Sequence, residues 1–146
     1  MSGSVTHRPR AGARSWARVG LGAAFVVAGV AHFATPLPFL QHIPPWIPAA
    51  TAVVYASGLV EIALGFALIA WRSRQRDVGL VTAAFLLAVW PTNIYVAVAG
   101  IDVDGLPGGL YPWIRLPFQV LFIAWALWAT RSEPGGDETT TRSAGI

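Results

Sequence analysis

Cysteine is absent from the 146 residues, so disulfides, thiolate nucleophiles and cysteine-held metal or iron–sulfur centres are excluded. Lysine is absent too, and all ten basic residues are arginine, which with the abundant alanine and glycine suits a GC-rich bacterial coding sequence. Charge of either sign is scarce, at 12% of residues, where soluble domains carry about 25%. Set beside 55% hydrophobic residues and a mean hydropathy of +0.57, that scarcity points to lipid as the solvent. The net charge of +3 does not indicate nucleic acid as a partner. The arginines stand in short clusters beside apolar runs, a placement that orients membrane spans. The length allows one domain.

What the chain does contain is four apolar segments, at about residues 16–33, 49–71, 78–99 and 116–130. At the helical rise of about 1.5 Å per residue the second and third exceed the bilayer's apolar thickness, while the first and fourth need snorkelling flanks. The expectation is an all-α integral membrane four-helix bundle over residues 16–130, between disordered tails at 1–15 and 131–146. Arg8, Arg10, Arg14 and Arg18 precede the first segment, Arg72, Arg74 and Arg76 fill the second link, and Arg131 and Arg142 follow the fourth segment. With four spans every such flank falls on one side, and the positive-inside rule then places both termini in the cytoplasm. Trp16, Trp71 and Trp128 would mark the inner interface, Trp46 and Trp113 the outer. A cleaved signal peptide ending near Gly29-Val30-Ala31 is the competing reading of the N-terminus, and it would leave three spans.

The two outer links differ. Residues 35–48 hold Pro36, Pro38, Pro44, Pro45 and Pro48 among apolar Leu37, Phe39, Leu40, Ile43, Trp46 and Ile47. Such a stretch is neither a continuous helix nor a solvated loop, and reads as a re-entrant cap over the outer mouth of the bundle. His42 on it is expected to be solvated. Residues 102–112 form a glycine-rich turn whose Asp102 and Asp104 lack the spacing of a calcium loop, so no metal is expected.

Glu61 is the residue most out of place. A carboxyl in the middle of an apolar span costs about 3 kcal/mol or more unless it is protonated, paired or wetted. Gly58, Glu61 and Gly65 on the second segment nearly repeat the spacing of Gly22, Gly29 and His32 on the first. Small residues at these intervals let membrane helices approach closely, which turns Glu61 and His32 toward the bundle interior. Asn93, Arg115 and Gln119 fall in the same outer half, with Tyr55 at intermediate depth. Pro91 is expected to kink the third segment and free the carbonyl of Leu87, whereas Pro117 is read as a first-turn proline. The expected product is an outward-opening polar pocket of His32, Tyr55, Glu61, Asn93, Arg115 and Gln119, floored by Glu61. Each residue also has a plainer role. Glu61 suits a structural carboxyl, His32 and Arg115 interfacial anchors, Asn93 and Gln119 interhelical hydrogen bonds, and the glycines helix packing alone.

The motifs Gly29-Val30-Ala31-His32-Phe33 with Pro36, Ile43-Pro44-Pro45-Trp46-Ile47-Pro48, Tyr55 through Gly65, Pro91-Thr92-Asn93-Ile94-Tyr95 and Arg115-Leu116-Pro117-Phe118-Gln119 together resemble the small four-helix DoxX-like membrane proteins. The resemblance implies a multi-pass protein of the bacterial inner (plasma) membrane. It implies either a non-catalytic or accessory subunit holding a small or amphipathic ligand, or a subunit of a quinone-linked oxidoreductase with Glu61 and His32 handling protons. It brings no intrinsic cofactor, only a quinone as candidate, and a membrane or periplasmic protein as candidate partner beside the lipid bilayer. Branches of the family that handle disulfides need cysteines that this chain lacks. A proton-coupled transporter is disfavoured by four short helices without an inverted repeat.

Overall fold

The computed structural model describes residues 11–106 and 109–131. The expected tails beyond those limits, with His7, Arg8, Arg10 and Arg142, lie outside the described residues. The chain is all-α in the order α1 (Ala11–Ala34), α2 (Pro36–Leu40), α3 (Ala50–Ala70), a 3-10 turn at Arg72–Arg74, α4 (Gln75–Ala99) and α5 (Tyr111–Ala129). Among the described residues four helices are long and apolar enough to cross a membrane.

Three boundaries differ from the sequence expectation. Residues 11–15, expected to be disordered, form the first turns of α1. α4 begins three residues before the expected position 78, at Gln75. α5 begins at Tyr111 instead of 116, so Pro112 takes the first-turn position and Pro117 lies inside the helix. Hydropathy finds the stretch immersed in hydrocarbon; a helix continues past it wherever polar or aromatic residues accept the backbone geometry. The ends of α4 and the cap are set by backbone chemistry. Gly100 closes α4 in the left-handed region, its N–H bonded to the Val96 carbonyl. Ala49 starts α3 with φ +55°, a conformation unusual for a residue with a Cβ.

α1 and α3 form the tightest pair, and their glycines explain why. A Cβ placed on Gly22 would lie 2.7 Å from the carbonyl oxygen of Gly65, and one on Gly29 would lie 2.5 Å from that of Gly58. The contacts are reciprocal: a Cβ on Gly65 would meet Gly22 O at 2.6 Å, and one on Gly58 would meet Gly29 O at 2.9 Å. Two antiparallel glycine steps, each of seven residues, thus bring the two backbones into direct contact. α4 and α5 make the second pair, where Gly79 gives Thr130 the space a Cβ would fill. Hydrogen bonds tie the pairs together. Trp125 Nε1 on α5 donates to the Ala17 carbonyl on α1 at 3.1 Å. Buried Leu21, Phe25, Leu64, Leu68, Val78, Leu86 and Ala126 form the shared core, drawn from all four long helices.

Pro91 lies inside α4 and, having no N–H, cannot bond the Leu87 carbonyl. α4 runs unbroken from Gln75 to Ala99 through it. The carbonyl that takes a side-chain donor is that of Leu86, not Leu87: Gln119 Nε2 donates to it at 2.8 Å. Leu86 is buried whereas Leu87 is half-exposed.

Candidate functional site

The glycine steps of α1 and α3 fix the first part of the site. Gly58 leaves room for the Cβ of His32, which a Cβ on Gly58 would meet at 2.6 Å. Glu61 lies one helical turn beyond Gly58, and its Oε2 comes to 3.4 Å from His32 Nδ1. The imidazole is buried, and Nδ1 already donates to the Ala28 carbonyl at 2.8 Å. Glu61 Oε2 is therefore left without a hydrogen-bond partner although it is buried; among the described residues Trp90 Nε1 is the other such atom. Buried polar atoms seldom remain unpaired, and each exception asks for an explanation. Phe39 of α2 stacks on the His32 ring at 3.7 Å between centroids, closing the pair off from the cap side.

The second part joins the cap to α4 and α5. Arg115 Nη1 donates to His42 Nε2 at 2.7 Å, while His42 Nδ1 donates to the Pro38 carbonyl at 2.7 Å. Gln41 holds Asp104 twice: Gln41 Nε2 donates to the carboxylate at 3.0 Å, and the Asp104 N–H donates to Gln41 Oε1 at 2.8 Å. Asp104 is thereby committed to the cap. Deeper, Asn93 Nδ2 reaches Gln119 Oε1 at 3.5 Å, a weak bond. The cavity beneath the cap is lined by His42, Asn93, Val96, Val103, Leu106, Tyr111, Pro112 and Arg115, and its volume of about 10 Å³ has room for roughly one water.

The six expected pocket residues thus separate. His32 and Glu61 meet each other. Asn93, Arg115 and Gln119 gather with His42, which the sequence reading left in solvent. Tyr55 joins neither group. It is exposed and stacked on Phe33 at 5.2 Å, with the rings 5° from parallel, on the outer surface of the α1–α3 pair. Asn93 and Val96 line the cavity under the cap, and Glu61 does not. A larger open groove, of about 370 Å³, runs along α5 between Tyr111, Ile114, Arg115, Phe118, Gln119 and Phe122.

The cap latch is sensitive to acid. Burial pulls His42 below its ordinary value of 6.5; its bond to the Pro38 carbonyl opposes this, and the nearby Arg115 on α5 and His32 on α1 add to the depression. Nε2 accepts from Arg115 only while it carries no proton. The closed cap thus binds fewer protons than an opened one, in which His42 returns toward 6.5. The latch is fully present above that pH and is lost as pH falls through the lowered value. Exchange protection of the amides in residues 41–48, taken relative to the intrinsic rate at each pH, should therefore be high at neutral pH and fall on acidification, and His42→Gln should remove that change. Protection that ignores pH, or that responds unchanged in His42→Gln, would contradict the latch.

Comparison with known proteins adds one relationship. No curated protein and no solved structure matches the chain. Residues 21–130 match a family model described as a domain of unknown function, DUF8561. That stretch holds α2, α3, α4 and α5 entire, most of α1, and every residue of the site just described. The chain belongs to the DUF8561 family.

Proposed function

We propose that this is a multi-pass plasma-membrane protein of the accessory or ligand-binding kind, DoxX-like in character, which holds a small amphipathic molecule from the bilayer at its capped end. The positive-inside rule puts the capped end outside and the arginine-bearing end in the cytoplasm. The observation that carries the reading is the groove along α5. Its about 370 Å³ lies within the range of small-molecule sites, and its lining is divided. Ile114, Phe118 and Phe122 offer apolar and aromatic contact, while Tyr111, Arg115 and Gln119 offer donors for a polar head. α5 is also the least covered of the four spans, with 11% of its apolar window buried, so a molecule diffusing in the lipid reaches the groove directly.

The test is organic extraction of the protein purified in mild detergent, with mass spectrometry of what it carries. One amphipathic species enriched over bulk lipid, and depleted in Phe118→Ala and Arg115→Gln, is the expected result. Extracts indistinguishable from the surrounding lipid would defeat the proposal.

A second reading, a quinone-linked subunit, is favoured by a different observation: the unpaired Oε2 of Glu61 beside His32. A carboxyl and an imidazole in one dry site are able to pass protons to and from a reduced or oxidised ring. It expects an added quinone to compete with the extracted species and Glu61→Gln to lose turnover while keeping its fold.

A further inference from the structure

The end of the bundle away from the cap carries a cavity that neither reading uses. It has a volume of about 280 Å³ and is lined by Arg14, Ser15, Arg18, Arg72, Gln75, Ala129 and Arg131. Three separate stretches of chain supply these residues. Arg14 and Arg18 are one helical turn apart on α1, Arg72 and Gln75 come from the link into α4, and Arg131 follows α5. Among the described residues no carboxylate lines the cavity.

Arg18 is the informative member. It is 2% exposed, and its Nη1 donates to the Leu68 carbonyl at the end of α3 at 2.6 Å. A guanidinium has further N–H groups in the same plane, and Arg18 is among the residues that line the cavity. Arg14 has contacts of its own, so the weight rests on Arg18, Arg72 and Arg131. The C-terminal ends of α3 and α5 lie at this same end of the bundle, and each contributes about half a negative charge. Together these offset about one of the three positive charges. The N-terminus of α4 has no side-chain cap and adds about half a positive charge back. The cavity is therefore strongly electropositive, walled by a buried and positioned guanidinium and not by surface arginines alone. Trp16, Trp71 and Trp128, all exposed, lie toward the same end, as side chains at headgroup level do.

We infer that this cavity is a binding site for a phosphate-type oxyanion, either the phosphodiester of an anionic lipid headgroup or a free phosphate. The planar, forked N–H groups of Arg18 and Arg72 suit tetrahedral oxyanions, with Arg131, Ser15 and Gln75 completing the donors. Carboxylate ligands match the fork equally well but lack the third acceptor oxygen that a three-sided cluster addresses.

Two arms test the site in the full-length protein. In the first, native mass spectrometry follows retention of phosphatidylglycerol against phosphatidylcholine. In the second, inorganic phosphate is titrated calorimetrically into protein in a zwitterionic detergent. Preferential retention of phosphatidylglycerol without phosphate binding assigns the lipid source; phosphate binding alone assigns the free anion. In whichever arm binds, Arg72→Gln and Arg131→Gln should each weaken it at least about fivefold, as the loss of a charge-assisted contact does. Both residues are exposed, so the fold should survive. Arg76→Gln removes the same charge from the first turn of α4 but does not touch the lining of the cavity, and should leave binding unchanged. Binding in neither arm, or equal weakening by Arg76→Gln and Arg72→Gln, would overturn the inference, the latter by reducing it to diffuse surface charge.

Discussion

Gly58→Leu should separate α1 from α3 and abolish the folded state. The reason is crowding against atoms that cannot move without the backbone. A Cβ at Gly58 would lie 2.6 Å from the Cβ of His32 and 2.9 Å from the carbonyl oxygen of Gly29, and neither atom is the far end of a flexible chain. The helices would have to move apart, and the step at Gly22 and Gly65 would open with them. Overpacking of this kind costs about 3 kcal/mol or more for a side chain of leucine's size. Lipid supplies no hydrophobic force to press the helices back together, so lost packing is not recovered elsewhere. Gly58→Ala should fall between leucine and wild type. Gly20→Ala is the control: it meets nothing within 4 Å, and alanine's better helix propensity should raise stability by up to about 1 kcal/mol. Thermal unfolding followed by tryptophan fluorescence in detergent would rank the four proteins. Equal midpoints for Gly58→Leu and Gly20→Ala would refute the packing account.

The same glycines explain how much of the site was legible in the sequence. His32 and Glu61 each stand three residues from a glycine, and the seven-residue glycine step is shared by two spans. Once α1 and α3 pack antiparallel through those steps, both polar groups lie on the shared face, and the spacing carried that much; that their side chains reach each other past the Gly29–Gly58 contact was not in it. Tyr55 was misplaced for a reason the sequence also held. It is six residues from Glu61, about 120° around the helix at 3.6 residues per turn, so it cannot share the face of Glu61. His42 is different. Its burial depends on Arg115, distant in sequence, and on the clamp between Gln41 and Asp104; a histidine among prolines carries no local sign of either. The arginine cavity was half visible. The clusters were read as a charge bias that orients spans, but nothing local says that Arg18, Arg72 and Arg131 converge on one hollow. Pro91 lies inside α4 as its position implies, whereas Pro117, a first-turn proline by rule, lies inside α5 because that helix starts at Tyr111. Prolines in membrane helices are tolerated where neighbours satisfy the backbone, and neighbours are what a single sequence hides.

Glu61→Lys should be nearly as damaging as Gly58→Leu, and the pattern around it tests whether the carboxyl faces the bundle. Lysine at this position would set a cation beside His32, in a place enclosed by α1, α3 and the Phe39 ring. Burying an unpaired charge at that depth costs about 3 kcal/mol on insertion scales, and more where the chain cannot snorkel. Glu61→Gln keeps the shape and adds a donor, so its stability should stay within about 1 kcal/mol of wild type. A carboxyl facing lipid would behave in the opposite way: Glu61→Leu would stabilise by several kcal/mol, and Glu61→Lys would be tolerated by extending toward the headgroups. The decisive measurement is a double-mutant cycle of Glu61→Gln with His32→Gln. At 3.4 Å the two side chains should show a coupling of about 0.5 kcal/mol or more. Strict additivity would mean that they are neighbours without an interaction. The unpaired Oε2 would then serve something other than His32, and a donor on a bound ligand would be the first place to look. Loss of quinone-dependent turnover in a stable Glu61→Gln protein, with the cycle non-additive, would instead make this pair the proton-handling element of the site.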